Sequence, residues 1–307
     1  MTLSTSLTFS HAAQQMRTIQ DAITRTQAQI STGLELTAPS DNTATSVAIT
    51  KLNSALSRQQ SYLDTMSTVG DQLSYQQQAI TASQKDMNSL HQLALQAATG
   101  TMNPGDRQNL ASQMSSLRAD LAARANSRDI NGSFVFSGGR AGTAPFAEDA
   151  GGAATYQGDQ TSIGVAINEQ ASVNVDRPGT EVFTSVARTA QDGTTRQVGF
   201  FQAIDDLIAA TKAGDSSKIT RGIGELTALG DGINAAQADV ANDQNVVTQQ
   251  QTLIQQTQLQ LKKSLSALQD SDYTTTITNL QKESLSLQAS QQSFAQVSQL
   301  SLFNFLK

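Results

Sequence analysis

The chain has 307 residues, 38% of them hydrophobic, but only 5% are aromatic and tryptophan is absent, so large anchors for a globular core are few. Zero cysteines exclude disulfides, thiol nucleophiles and thiolate metal sites, and a net charge of −6 argues against nucleic-acid binding, which needs clustered Lys and Arg. Charged residues make up 15% against a usual value of about 25%, so the surface repels copies of itself weakly.

The first periodic segment carries Phe9, Ala12, Met16, Ile19, Ile23, Thr26 and Ile30, at the alternating spacings of three and four that mark a coiled-coil seam. Gly33 interrupts it. Pro39 lies in the loop at 36–42, where Ser40 or Asp41 can cap the next helix by accepting from its unpaired amides. A second helix is expected to run to residue 99 without proline, with Leu56, Leu63, Met66, Leu73, Ile80, Met87 and Ala94 in its seam. Asn103, Pro104 and Asp106 mark a third helix start by cap, first-turn proline and first-turn carboxylate. Its inner face is Leu110, Met114, Leu117 and Leu121.

Over 131–196 the pattern changes. Glycines at 138–142 and 151–152 punctuate short runs such as Phe134, Val135, Phe136 and Ile163 to Ile167, which predict strands and turns able to fold as a unit of their own. Helical periodicity returns at Phe200, Phe201, Ile204, Leu207 and Ile208. A long seam follows, with Val240, Val247, Ile254, Leu261 and Leu268 seven residues apart. After Asp270, Ser271 and Asp272 a last helix places Ile277, Leu280, Leu287 and Phe294 toward one side, then Leu300, Leu302, Phe303, Phe305 and Leu306. The fold class expected is mainly α with a β-rich insertion: an elongated helical bundle or coiled coil from both termini, with a small outer β domain in the middle. The expected domains are terminal arms at 1–42 and 270–307, a helical core at 43–130 and 197–269, and the outer domain at 131–196.

Several motifs then align with a known family. Ile30-Ser-Thr-Gly33, Ala38-Pro-Ser-Asp41 and Val47-Ala-Ile49 resemble the N-terminal signature of flagellin-family axial proteins, and Asp270-Ser-Asp-Tyr273, Asn279-Leu280, Ser290 and Leu300-Ser-Leu-Phe303 resemble the C-terminal one. Between them, Asn131-Gly-Ser-Phe-Val-Phe-Ser-Gly138, Thr143-Ala-Pro-Phe146 and Tyr156-Gln-Gly158 are similar to the outer domain of the family's hook–filament junction branch. Each motif is short, and their order along the chain is what makes the resemblance specific. Asn42 departs from it, standing where an acidic residue is usual.

The resemblance implies a flagellin-like, non-enzymatic structural subunit of the bacterial flagellum, an adaptor ring between the hook and the flagellin filament. Implied partners are other copies in the ring, the hook-side junction protein, flagellin, an export chaperone and the flagellar type III export apparatus. The implied location is outside the cell, reached without a cleaved signal peptide; residues 1–20 lack the basic start, apolar centre and small-residue cleavage site of one. Membrane insertion is not expected, because no run approaches the ~20 apolar residues that span a bilayer. Filament flagellin, and a coiled-coil adhesion or signalling module, are the alternatives.

No catalytic, cofactor or metal site is expected. Asp270 and Asp272 are close enough in sequence to be considered as an acid/base pair, but they also suit a helix start beside a break. His11 and His91 are the only imidazoles and lack companion ligands at metal-binding spacing. Gly138 to Gly142 lacks the Lys-Ser/Thr of a phosphate loop, and Gly222 with Gly224 lacks a third glycine. The candidate site is a self-assembly surface: Phe9, Met16, Ile23 and Ile30 near one end, and Ile277, Leu280, Leu287, Phe294, Leu302 and Phe303 near the other.

Overall fold

The computed structural model describes the backbone of residues 2–99, 102–148, 153–189 and 194–305, with side chains for all of these except 2–6, 8, 297 and 299–305. Among the described residues are seven helices and six short strands. The helices are α1 (Thr2–Thr32), α2 (Thr43–Ala97), α3 (Pro104–Ala125), α4 (Gly179–Val182), α5 (Phe200–Ala213), α6 (Ser216–Gln269) and α7 (Tyr273–Phe305). No helix is long and apolar enough to cross a membrane among the described residues.

The helix boundaries follow from capping chemistry. Asn103 accepts from the Asp106 amide at 2.9 Å, with Pro104 opening α3, as the sequence predicts. At the start of α2 the capping oxygen is neither Ser40 nor Asp41. Asn42 Oδ1 accepts from the Thr45 amide at 3.1 Å, while Asp41 turns back to take the amides of Thr37 and Ala38. An amide oxygen caps as well as a carboxylate, so the departure at Asn42 leaves the helix start intact. Gly33 ends α1 with φ +74°, a left-handed residue at the usual place for a helix terminus.

The chain divides into two compact units, one of residues 1–60 with 255–307 and one of residues 61–254. In the second unit, Met66, Leu73, Ile80 and Leu90 of α2, Met114 and Leu121 of α3, Ile204 and Leu207 of α5, and Leu229, Ile233 and Val240 of α6 are fully shielded from solvent. Gly222 of α6 lets α5 approach: an added Cβ would lie 2.8 Å from Leu207 Cδ1.

The strands form three separate antiparallel pairs: β1 (Phe146–Glu148) with β2 (Ala154–Tyr156), β3 (Ile163–Ala166) with β4 (Ser172–Asp176), and β5 (Val186–Thr189) with β6 (Thr195–Val198). Two-stranded hairpins are marginal alone, and here they lean on the helices. Phe136, Phe146, Phe183, Phe200 and Phe201 form a cluster with ring centroids 5.1–6.1 Å apart, edge to face except for Phe183, which stacks on Phe201. Phe134, Val135 and Phe136 do not form the expected strand. Phe134 and Ser137 each make one isolated bridge, to Arg128 and Pro178, and Val135 and Phe136 turn between them. All three side chains of the run are buried, whereas a strand sends successive side chains to opposite faces.

Three arginines then fasten this segment to the helices. Arg118 of α3 pairs with Glu148 of β1 and Asp205 of α5. Arg177, just past β4, pairs with Asp239 and Asp243 of α6. Arg188 of β5 pairs with Asp206 of α5 and Glu225 of α6.

Candidate assembly site

The first unit contains α1, α7, residues 43–60 of α2 and residues 255–269 of α6. Phe9, Met16, Ile23 and Ile30 recur every seven residues, as do Leu280, Leu287 and Phe294, and α1 packs along α7. Phe9 meets Phe294 edge to face, with centroids 5.3 Å apart and an angle of 85°. Between these apolar layers the seam is polar. Thr26 is buried and its hydroxyl donates to Glu283 Oε2 at 3.0 Å.

Two helix breaks are tied to each other beside this seam. The Glu35 amide donates to Gln269 O at 2.7 Å and the Ser271 amide to Gly33 O at 2.9 Å, closing a short antiparallel bridge between Leu34 and Asp270. A Cβ on Gly33 would come within 3.1 Å of the Tyr273 hydroxyl, so glycine serves both the backbone angle and the packing.

Asp272 caps α7. It accepts from the Thr275 hydroxyl at 2.8 Å and the Thr274 amide at 3.0 Å, and these donors, the hydroxyl first, pull its pKa below the ordinary carboxylate value. The Ala38 amide, and then the Thr37 hydroxyl, do the same for Asp41. Asp270 instead accepts from the Ser266 hydroxyl, so the two carboxylates at 270 and 272 each hold a separate turn.

Of the ten residues singled out from the sequence, Phe9, Met16, Ile23, Ile30, Leu280, Leu287 and Phe294 lie half-buried in the first unit. Ile277 does not share their face. It is 45% exposed, and Thr276 takes the buried position, its hydroxyl donating to Asp272 O at 2.7 Å and lying 2.7 Å from the Ser271 hydroxyl. The side chains of Leu302 and Phe303 lie outside the described residues.

The sequence reading missed Leu285, which is 67% exposed on the outer side of α7. It also missed a groove between α1 and α7, made of hollows of about 550 and 560 Å³ that share Gln15, Ser286 and Ser290. A scan for exposed-face leucine and for small residues at helical spacing could have found both. His11 stands at one hollow, and His91 lies on α2 in the other unit. Among the described residues no three His, Cys, Asp or Glu side chains are grouped to hold a metal. The surface offers packing faces and hydrogen-bonding groups.

The model for the bacterial flagellin N-terminal helical region matches residues 3–141. Flagellar hook-associated protein 3 of Escherichia coli is 25% identical over 295 residues, covering 91% of both chains. Its counterpart in Salmonella typhimurium is 24% identical over 288 residues, covering 90% of both. The crystal structure of Xanthomonas campestris FlgL aligns with a TM-score of 0.62 at 19% identity, covering 70% of this chain and 99% of that one. That of hook-associated protein-3 from Legionella pneumophila aligns with a TM-score of 0.65 at 14% identity, covering 72% and 98%. At those identities the structures speak to the fold, a mainly helical one with a small strand-bearing insertion. The chain is thus similar over residues 3–141 to the bacterial flagellin N-terminal helical region and over nine-tenths of its length to flagellar hook-associated protein 3.

Proposed function

We propose that this chain is a non-enzymatic structural subunit of the bacterial flagellum, forming an adaptor ring between the hook and the flagellin filament. Copies join through the arms at 1–42 and 270–307. The helical core at 43–130 and 197–269 supports them, and the outer domain at 131–196 lies off the assembly path. The hook-side junction protein and flagellin lie on either side of the ring. The subunit reaches its extracellular place through the flagellar type III apparatus with an export chaperone.

The observation that carries this reading is the half-buried seam. Leu280, Leu287 and the α1 stripe hide only part of their apolar surface in the single chain, and Leu7, Val47, Leu259, Ile277 and Leu285 of the same unit are exposed. Apolar area left open in this way is covered on association. The similarity to hook-associated protein 3 supplies the setting. Filament flagellin is the second reading, favoured by the match to the flagellin N-terminal helical region.

A deletion strain tests the proposal. Cells lacking the gene should keep their hooks and release unpolymerised flagellin into the medium, and restoring the gene should restore attached filaments. Attached filaments of normal length in the deletion strain would contradict the junction reading.

A further inference from the structure

The α1/α7 pair carries two features that its own seam does not use. One flank holds the groove, formed by Phe9, Ala12 and Gln15 of α1 with Ser286, Ser290 and Ser293 of α7. The other holds Ile277: nine residues separate it from Ser286, and at about 100° per residue the two lie half a turn apart. Leu285 is exposed on the outer side of the same helix.

Charge narrows the choice of occupant. The groove is lined by apolar, hydroxyl and amide side chains, with His11 as its one ionisable residue. Residues 273–296 contain just two charged side chains, Lys282 and Glu283, and Thr26 engages the second. An acidic peptide or an anionic lipid surface finds almost no counter-charge here. An uncharged helix face with an isolated aliphatic knob does find a match, and the chain carries one itself.

We infer that Ile277 of one copy seats in the Ser286/Ser290/Ser293 hollow of the next copy. The inference rests on the proposed self-assembly through α1 and α7 and adds which faces meet. Knob and groove are different patches on opposite flanks, so each contact leaves one of each free. Such heterologous contacts build rings or helical arrays, whereas a self-complementary patch closes into a dimer.

The absence of cysteine from the chain makes the test specific, because any disulfide must join engineered positions whose Cα atoms approach within about 7 Å. Full-length Ile277→Cys/Ser290→Cys is expressed in the deletion strain under reductant, and intact flagella are then oxidised. The expected result is a ladder of covalent multimers from the double variant and none from either single variant. Ile277→Cys/Ser293→Cys, a second pair, should behave alike. Dimers from Ile277→Cys alone would make the contact self-complementary and overturn the inference. So would adducts to hook or filament proteins, or swimming cells in which neither pair cross-links. Failure of both pairs to swim under reductant while each single variant swims would also count against it. The proposed function fails separately, if the unsubstituted protein is missing from flagella.

Discussion

Arg188 offers the sharpest energetic test of how the strand-bearing segment is held. Its side chain is 7% exposed, as is that of Glu225, and Nε and Nη2 donate in parallel to the two Glu225 oxygens at 2.7 Å. Asp206 takes the remaining side of the guanidinium. The hydrogen bonds to Glu225 raise the Arg188 pKa further, so the guanidinium is charged at every pH of interest. In Arg188→Met, Glu225 stays buried beside Arg221 alone, which is 3.5 Å away and 42% exposed. Removing one partner of a buried pair costs about 3–5 kcal/mol, whereas replacing both by apolar residues is often neutral.

Urea unfolding followed by hydrogen exchange, read peptide by peptide, resolves the loss in the second unit without assuming one cooperative transition for the chain. Arg188→Met should lower the unfolding midpoint of peptides from β5, α5 and the first half of α6. Arg188→Met/Glu225→Met should recover most of that loss. A single variant that costs less than about 1 kcal/mol, or a double variant as unstable as the single, would refute the clamp. The same logic predicts that replacing residues 133–190 with a Gly/Ser linker destabilises the second unit. That exchange strips Asp206, Glu225, Asp239 and Asp243 of their strand-side ion pairs and removes Glu148 from Arg118.

Leu287→Asp should still be exported but fail to hold filaments, because assembly would bury an unpaired carboxylate at this half-buried position at a cost of several kcal/mol; exposed Gln288→Asp should cost within about 0.5 kcal/mol. Swimming and shed flagellin read the two outcomes, and equal defects would mean the buried face of α7 is misassigned. Brief trypsin treatment of the monomer should cut at Arg17, Arg25, Lys262, Lys263 or Lys282 before Arg107, Arg118 or Arg124; mass mapping showing the reverse order would contradict it. Acid should act with opposite sign on the turn carboxylates of the arms and on the buried carboxylates Asp176 and Asp205. Asp41 and Asp272 have lowered pKa values, so the stability they add is present above about pH 4 and is lost as pH falls through their folded values. Burial raises Asp176 and Asp205, so their ionisation penalty is absent below about pH 4 and grows as pH rises through their folded values. Exchange protection of the Ser271 amide should therefore fall in acid before that of β4, and a uniform loss would rule this out.

The long helices were legible because their seams repeat every three to four residues over many turns, and the caps at Asn103 and Pro104 use local chemistry that neighbouring residues reveal. The Phe134 to Phe136 turn was not legible, since its contacts come from outside the run: the Phe183 ring meets Phe136, Arg128 lies over Phe134, and the Ser127 carbonyl takes the Val135 amide. The arginine clamps were hidden for the same reason: Arg188 and Glu225 lie 37 positions apart. At the arms, the seven-residue spacing of Leu280, Leu287 and Phe294 was readable. Ile277 was misplaced because the hydroxyls of Ser271 and Thr276 decide which residue the turn buries, and hydrophobicity alone does not record that.

Immunogold labelling of isolated hook–filament assemblies locates the subunit along the flagellum. A junction subunit predicts one narrow band of label where the hook meets the filament, in every assembly and independent of filament length. Label spread along the filament would identify the chain as filament flagellin, and flagella without label would contradict the account altogether.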